Sequence, residues 1–582
     1  MHVIASAGHV DHGKSTLVQA LTGQEPDRLA EEKRRGLSIR LGYCWARLEP
    51  VGDVAFVDVP GHERFLATTL SGLGPVPAVM FVVAADDPWM PQAAEHLAAL
   101  DALDVRHGVL VVTRADLAAP GPTLDEARRQ LARTSLAGAP SVTVSGRTGA
   151  GLDDLRRALA DMVGALPVPD PDAPVRLWAD RRFHVHGAGT VVTGTLPAGT
   201  IRVGDQLACG DVLVRVRHLQ TLGRQVDRVS GAARVALDLG GRVPGQVDHD
   251  SVFVTPGAFA MTTQFDAHLR GDGAPPERPL LHVGALVSAA HARPLAAGFV
   301  RLSLDRPLPL RHGDRAVLRD PGSRRLWGVR VLDPDPPELG RRGAAARQAA
   351  GLGTLDGGMA AAVRLHGRAR RSELARQGFR DDVATASPRP LVAGDWLLAP
   401  ERGEVLSAQL HQVVAASADG ITPVAAAQAM GLPDPSLVLP LVTAPLSVVN
   451  GRIVVASGPD PTDQRALAAL RSLLEEHPFA APDAAGLEQL GIDDGSLVRL
   501  ARAGLVLRLA PGTALLPAAV DLAMARLAVL PQPFTASQAR AALDTSRRVA
   551  LPLLAHLDRT GGTLRLPDDR RRLRATARVQ AH

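Results

Sequence analysis

Lysine is almost missing from this sequence. Its 582 residues include 65 basic side chains, and only Lys14 and Lys33 are lysines. Aromatic residues make up 3% of the chain, too few for a surface that reads bases mainly by stacking. The two cysteines, Cys44 and Cys209, exclude a disulfide framework or a four-cysteine zinc site and point to the reducing cytosol. No apolar run reaches the roughly 18 residues of a membrane-spanning helix. The N-terminus enters a strand-like run at once, without the basic and apolar segments of a secretory signal. A cytoplasmic protein without a membrane partner, acting as a monomer, is the expectation.

What is present is a globular composition, 46% hydrophobic and 21% charged, in a chain too long for one core. Ala, Gly, Pro and Arg are used heavily throughout, so single occurrences of them say little. The net charge of +5 is unevenly spread. From residue 535 to 582, ten arginines face four aspartates, a net +6. A basic end of this kind suits a polyanion or is simply a solvated tail.

One of the two lysines sits in Gly8-His9-Val10-Asp11-His12-Gly13-Lys14-Ser15, which fits GxxxxGK[ST] at every fixed position. A short apolar strand precedes it and a helical pattern follows through Leu17, Ala20 and Leu21. The glycines let backbone N–H groups turn toward phosphate oxygens, and the helix N-terminus adds its dipole. Lys14 reaches the phosphates, where its thin stem fits and a planar guanidinium does not. Ser15 and Thr16 continue the loop, with the Ser15 hydroxyl available to Mg²⁺.

Three further strands end in polar signals. Val54–Val59 runs into Asp58-Val59-Pro60-Gly61-His62, where Asp58 can hold Mg²⁺ through water and Gly61 can offer its N–H to a γ-phosphate. Val109–Val112 runs into Thr113-Arg114-Ala115-Asp116, where the Asp116 carboxylate can accept from the N1–H and 2-amino groups of guanine. Val142–Val144 runs into Ser145-Gly146, near the base. Between them, Ser38 in Arg35-Gly36-Leu37-Ser38-Ile39 can close the Mg²⁺ shell. Helical stretches at 92–103, 123–133 and 152–163 separate the strands, giving a doubly wound α/β domain with its ligand at the strand C-termini. Neither HExxH at His62 nor a dinucleotide fingerprint at Gly187 is complete, and His9 and His12 read as parts of the phosphate loop.

GHVDHGKS, RGLSI, DVPGH, TRAD and VSG together resemble the five motifs of the translational GTPases related to elongation factor Tu. The resemblance implies a P-loop GTPase domain that binds GTP with Mg²⁺ held through Ser15, Ser38 and Asp58. It implies that His62 positions the attacking water when the ribosome docks it, with Val10 and Ile39 as the apolar gate beside it. The usual NKxD reads TRAD, so Thr113 is expected to lose a hydrogen bond while Arg114 lays its flat group on the base.

After a Pro/Asp linker at 166–172, strands and turns alternate in two stretches that read as β-barrels. The second ends in a run from Val329 to Arg342 that resembles the selenocysteine-specific elongation factors within this family. The last 240 or so residues contain short helices and small β pairs, divisible into winged-helix units. In the last, Thr535 and Asp544–Arg548 start helices, and Gly561–Leu573 reads as a hairpin. Arg547 and Arg548 fall at a helix N-terminus, and Arg570, Arg571 and Arg572 on the wing, where phosphates are met. The expected domains are 1–170 (GTP-binding), 171–257 and 258–340 (barrels), and 341–402, 403–458, 459–516 and 517–582 (tandem winged helices, the last binding RNA).

The resemblance implies delivery of selenocysteyl-tRNA to the ribosome at recoded UGA codons, with the C-terminal winged helix gripping an mRNA hairpin. It places Asp180, Arg181 and Arg234 at the aminoacyl group, where the two arginines suit an anionic selenolate. Two alternatives remain open: a general elongation or initiation-factor-like GTPase, and a GTP-switched winged-helix regulator that binds nucleic acid.

Overall fold

A computed structural model describes residues 1–26, 38, 40–185, 189–240, 247–248, 250–296, 298–340, 342–417, 419–455 and 461–573. The chain divides into two compact units, Met1–Glu404 and Val405–His582.

The first unit opens with a six-stranded sheet. Its strands are β1 (His2–Gly8), β2 (Gly42–Leu48), β3 (Gly52–Asp58), β4 (Ala78–Ala84), β5 (His107–Thr113) and β6 (Ser141–Thr143), in the order β2-β3-β1-β4-β5-β6. β1, β3, β4, β5 and β6 are parallel, and β2 is an antiparallel edge that the sequence did not reveal. The inner strands are apolar on both faces because helices cover both. Val3, Ala5, Phe81 and Val112 face helices Leu66–Leu73, Pro91–Ala102 and Gly121–Leu131. The alternate residues Ile4, Met80, Val82 and Val111 face helices Lys14–Thr22 and Leu152–Gly164. This arrangement brings the ends of β1, β3, β5 and β6 to one edge, where the polar motifs lie.

Two barrels follow. In the first, strands Gln206–Cys209, Val252–Val254, Arg176–Val185, Gly189–Leu196, Ala233–Gly240 and Val212–Thr221 pair in sequence around the ring, and Gln206–Cys209 also pairs with Val212–Thr221 to close it. The second is closed by Thr262–Arg270, Phe299–Leu308, Leu286–Ala296, Leu280–Val283, Arg315–Arg319 and Leu326–Asp333. It packs against the α/β domain, where Val317 joins the core and Gly328 has no room for a side chain beside the Ala102 carbonyl.

Beyond the second barrel, helices Ala344–Leu352, Met359–His366 and Arg371–Arg376 stand with the three-stranded sheet of Arg368–Arg370, Trp396–Leu398 and Leu391–Ala393. A buried polar cluster joins these helices to the barrel. Arg301 bonds Asp266 at 2.6 and 2.9 Å, Gln348 reaches both Asp266 (2.9 Å) and Asp333 (3.2 Å), and His366 lies 3.0 Å from Asp333. Burial opposes charge on His366, but the Asp333 hydrogen bond and carboxylate outweigh it and raise the pKa. The boundary expected at residue 402 falls within helix Pro400–Ala415.

The second unit contains three β pairs, Leu446–Val449 with Arg452–Val455, Leu507–Ala510 with Thr513–Leu515, and Thr563–Arg565 with Arg571–Leu573. A single apolar core joins Leu470, Phe479, Leu500 and Leu515 to Leu527, Phe534, Leu543 and Leu554. The two stretches expected as separate units at 459–516 and 517–582 thus share their interior.

Candidate nucleotide-binding site

The phosphate loop connects β1 to helix Lys14–Thr22, and its glycines are structural requirements. At Gly8 the backbone has φ +133°, and a Cβ would lie 2.1 Å from the Val82 carbonyl oxygen. At Gly61, a Cβ would lie 2.6 Å from both Lys14 Nζ and Val10 N, so the DVPGH turn closes directly on the loop. Gly13, at φ 80°, opens the helix.

The loop is held from behind by helix Pro91–Ala102. The Gly8 N–H donates to His96 Nδ1 (3.0 Å) and the Val10 N–H to Gln92 Oε1 (3.3 Å). Burial lowers the His96 pKa to about 3, keeping the imidazole neutral and able to accept. His12 is buried, its pKa lowered to about 4 by desolvation and then by His9, and its Nε2 lies 3.2 Å from Asp87 Oδ2. His9 is buried too, and the rings of His9 and His12 meet edge to face at 4.9 Å. Their side chains therefore brace the loop, while its backbone faces the ligand.

A cavity of about 380 Å³ lies in front, lined by the loop from Val10 to Leu17 together with Ser38, Gly61, Thr113, Arg114, Asp116 and Gly146. At its phosphate end, Lys14 donates to the carbonyls of His9 (2.6 Å) and Gly8 (3.1 Å). Ser15 Oγ donates to Asp58 Oδ2 at 2.6 Å and lies 3.2 Å from Ser38 Oγ. These three oxygens are hard donors of the kind Mg²⁺ takes. Ser6, absent from the sequence reading, fixes the carboxylate from the other side: its hydroxyl donates to Asp58 Oδ1 (2.5 Å) and accepts from the Val59 N–H (3.2 Å).

At the base end, the expectation for Thr113 is corrected. Its hydroxyl donates to the His12 carbonyl at 2.7 Å, so the threonine ties the base motif to the phosphate loop. Arg114 is bound to Asp86 and to the Asp11 carbonyl. The hydrogen bond from Ser145, more than any other influence, lowers the Asp116 pKa and keeps the carboxylate charged. Gly146 lines the cavity beside it. The lining ends at Gly61; His62 follows, with Nδ1 accepting from the Arg64 N–H (3.2 Å) and the ring 6.0 Å from Phe65. Ile39 lies outside the described residues.

The residues expected at an aminoacyl group part company. Asp180 and Arg234 form a buried pair: Arg234 Nη2 is 2.5 Å from Asp180 Oδ1, and Thr193 bonds both partners. Tyr43, the chain's one tyrosine, lies beneath Arg234, whose guanidinium carbon is 3.7 Å from the ring centroid. Arg181 is 4.8 Å from the same ring and lines a separate cavity of about 650 Å³ with Arg40, Thr68, Ser71 and His184. Asp180 thus balances the charge of Arg234, and Arg181 presents the cavity's guanidinium. Nothing in the local sequence marked Tyr43; only the sheet edge carries it to the barrel.

In the second unit, Ser546 caps helix Arg547–Thr560. Arg547, Arg570 and Arg572 are exposed. Arg548 is spent on the carbonyls of Ala481 (2.5 Å) and Gly512 (3.2 Å), and Arg571 is buried against Asp558 at 2.9 Å. These two hold the winged helix together instead of presenting their charge to phosphate.

The fold and site define a P-loop GTP-binding protein of the elongation factor Tu class. Residues 1–165 match the family model of the elongation factor Tu GTP binding domain. Within that class the chain is a relative of the selenocysteine-specific elongation factors. Residues 279–338 match their β-barrel domain, and residues 525–572 match the winged helix of elongation factor SelB. The chain is 33% identical over 362 residues to the selenocysteine-specific elongation factor of Desulfomicrobium baculatum, covering 58% of this chain and 56% of that protein. It is 36% identical over 355 residues to that of Escherichia coli (strain K12), with the same coverage. The chain spans about half the length of the curated relatives it matches. A bacterial selenocysteine-specific elongation factor, EF-Sec, shares the fold over 99% of this chain and all of its own, with TM-score 0.69 and 23% identity.

Proposed function

We propose that this protein delivers selenocysteyl-tRNA to the ribosome in a GTP-dependent step at recoded UGA codons, tethered to an mRNA hairpin by its last winged helix. The observation that carries the reading is the joining, in one chain, of a guanine-nucleotide cavity and a SelB-type winged helix.

The chemistry follows from the residues in place. Asp116 selects guanine by accepting from two donors that adenine does not present together. Lys14, the loop N–H groups and the helix N-terminus balance the phosphate charge. Ser15, Ser38 and Asp58 would hold Mg²⁺, which supplies charge neutralisation at the β- and γ-phosphates. With a γ-phosphate present, Ser38 and Gly61 are drawn onto it, so the segments around them order with GTP and relax with GDP. His62, one residue beyond Gly61, orients water once the ribosome turns it toward the cavity. The 650 Å³ cavity takes the aminoacyl end, with Arg181 facing the selenolate and the Asp180–Arg234 pair fixing the wall. Arg547, Arg570 and Arg572 meet RNA phosphates, and the tether raises the complex's local concentration at the codon.

A reconstituted translation reaction tests this. With a UGA codon followed by the source's own hairpin, full-length product requires the chain, selenocysteyl-tRNA and GTP. Readthrough that is unchanged when the chain is omitted would contradict it.

A further inference from the structure

Arg114 stands where this family usually carries lysine, and it does something lysine cannot. Its guanidinium lines the nucleotide cavity. One arm, Nη1, lies 3.2 and 3.1 Å from the two oxygens of Asp86, and the other arm, Nη2, donates to the Asp11 carbonyl of the phosphate loop. Asp86 lies just beyond β4 and Asp11 lies in the loop after β1, so a single side chain spans the mouth from one to the other. A planar fork can hold two partners on different edges while its face stays free; an ammonium can serve one or the other. The backbone of Arg114 is at φ 54°, a conformation that side chains other than glycine's rarely adopt and that persists where the surroundings fix it. Here Thr113, anchored to the His12 carbonyl, fixes the residue before it.

We propose that Asp86 is a positioning residue for nucleotide retention, holding Arg114 as a strap over the purine so that release requires the Asp86–Arg114 pair to open. Asp86 is outside the cavity lining and acts through Arg114 alone. The proposal rests on the reading of the cavity as a guanine-nucleotide site. It concerns release and leaves base choice with Asp116.

Stopped-flow dissociation of mant-GDP from the full chain tests it, in wild type, D86N, R114K and the double variant. The pair is partly exposed, with 36% and 28% of the two side chains accessible. D86N is therefore expected to speed release by about threefold to tenfold, with association changed less than about twofold. In the R114K background the strap is already lost, so adding D86N changes release by less than about twofold. R114Q, a second variant, should release at least as fast as D86N. Because unfolding midpoints without nucleotide report a structural role, they should match wild type. Release from D86N at the wild-type rate, or an effect of D86N that persists in R114K, would overturn the strap while leaving the nucleotide site standing. Failure of the wild-type chain to take up mant-GDP would overturn both.

Discussion

Thr113 Oγ1 lies 2.7 Å from the carbonyl oxygen of His12, joining two motifs that are 101 residues apart. This contact links the loop that holds phosphate to the strand that reads the base. Replacing Thr113 by alanine leaves a buried carbonyl without its donor, a loss of about 1–3 kcal/mol. T113A should bind GDP about tenfold more weakly in a mant-GDP titration, and T113S should restore most of the loss. Equal affinities for T113A and wild type would show that the contact is incidental.

The Asp180–Arg234 pair is a buried ion pair, with 3% and 10% of the side chains exposed. Removing one partner strands the other charge, which typically destabilises by about 3–5 kcal/mol. D180A should therefore lower the thermal midpoint clearly, and D180L/R234M should recover much of it. R181A should leave the midpoint near wild type, because Arg181 faces a cavity. If R181A unfolds as readily as D180A, the division between wall and binding residue is wrong.

His366 provides a pH test. Its pKa in the folded chain is raised above the ordinary value of 6.5. Its contribution is therefore complete below that value and is lost as pH rises through the raised folded value. The stability advantage of wild type over H366Q, measured by urea denaturation, should be greatest at acidic pH and shrink toward alkaline pH. An advantage that grows with pH would reverse the assignment of charge to the Asp333–His366 contact.

The arginines of the last winged helix should separate into two groups. R570A and R572A should weaken binding to a hairpin RNA and flatten its salt dependence by about one unit of slope per contact, leaving the unfolding midpoint near wild type. R571A exposes the Asp558 carboxylate in a buried site and should lower the midpoint. A steeper salt dependence in R570A, or a normal midpoint in R571A, would contradict the grouping.

Local rules made much of this legible beforehand. The phosphate loop, Asp58, Gly61 and Asp116 are tied to strand ends by short-range geometry, so motif order was enough to bring them together. Contacts made by long-range packing were hidden. Ser6 reaches Asp58 across neighbouring strands, and Tyr43 reaches Arg234 because an antiparallel edge strand lies against a barrel. Thr113 was read by its lost amide, and its hydroxyl found a different carbonyl. Among the basic residues near the C-terminus, charge alone could not distinguish Arg572, which is exposed, from its neighbour Arg571, which alternation along the strand turns inward. The shared core of residues 470–554 likewise left no mark on the sequence, since each half has its own helices and hairpin.

Protection of the aminoacyl ester from hydrolysis tests the central claim most directly. Selenocysteyl-tRNA and seryl-tRNA on the same tRNA body would be compared with GTP or GDP present. The account predicts that only the selenocysteyl ester is protected, and only with GTP. Absence of protection for either ester would contradict the delivery function, and equal protection of both would contradict the assignment of specificity to Arg181.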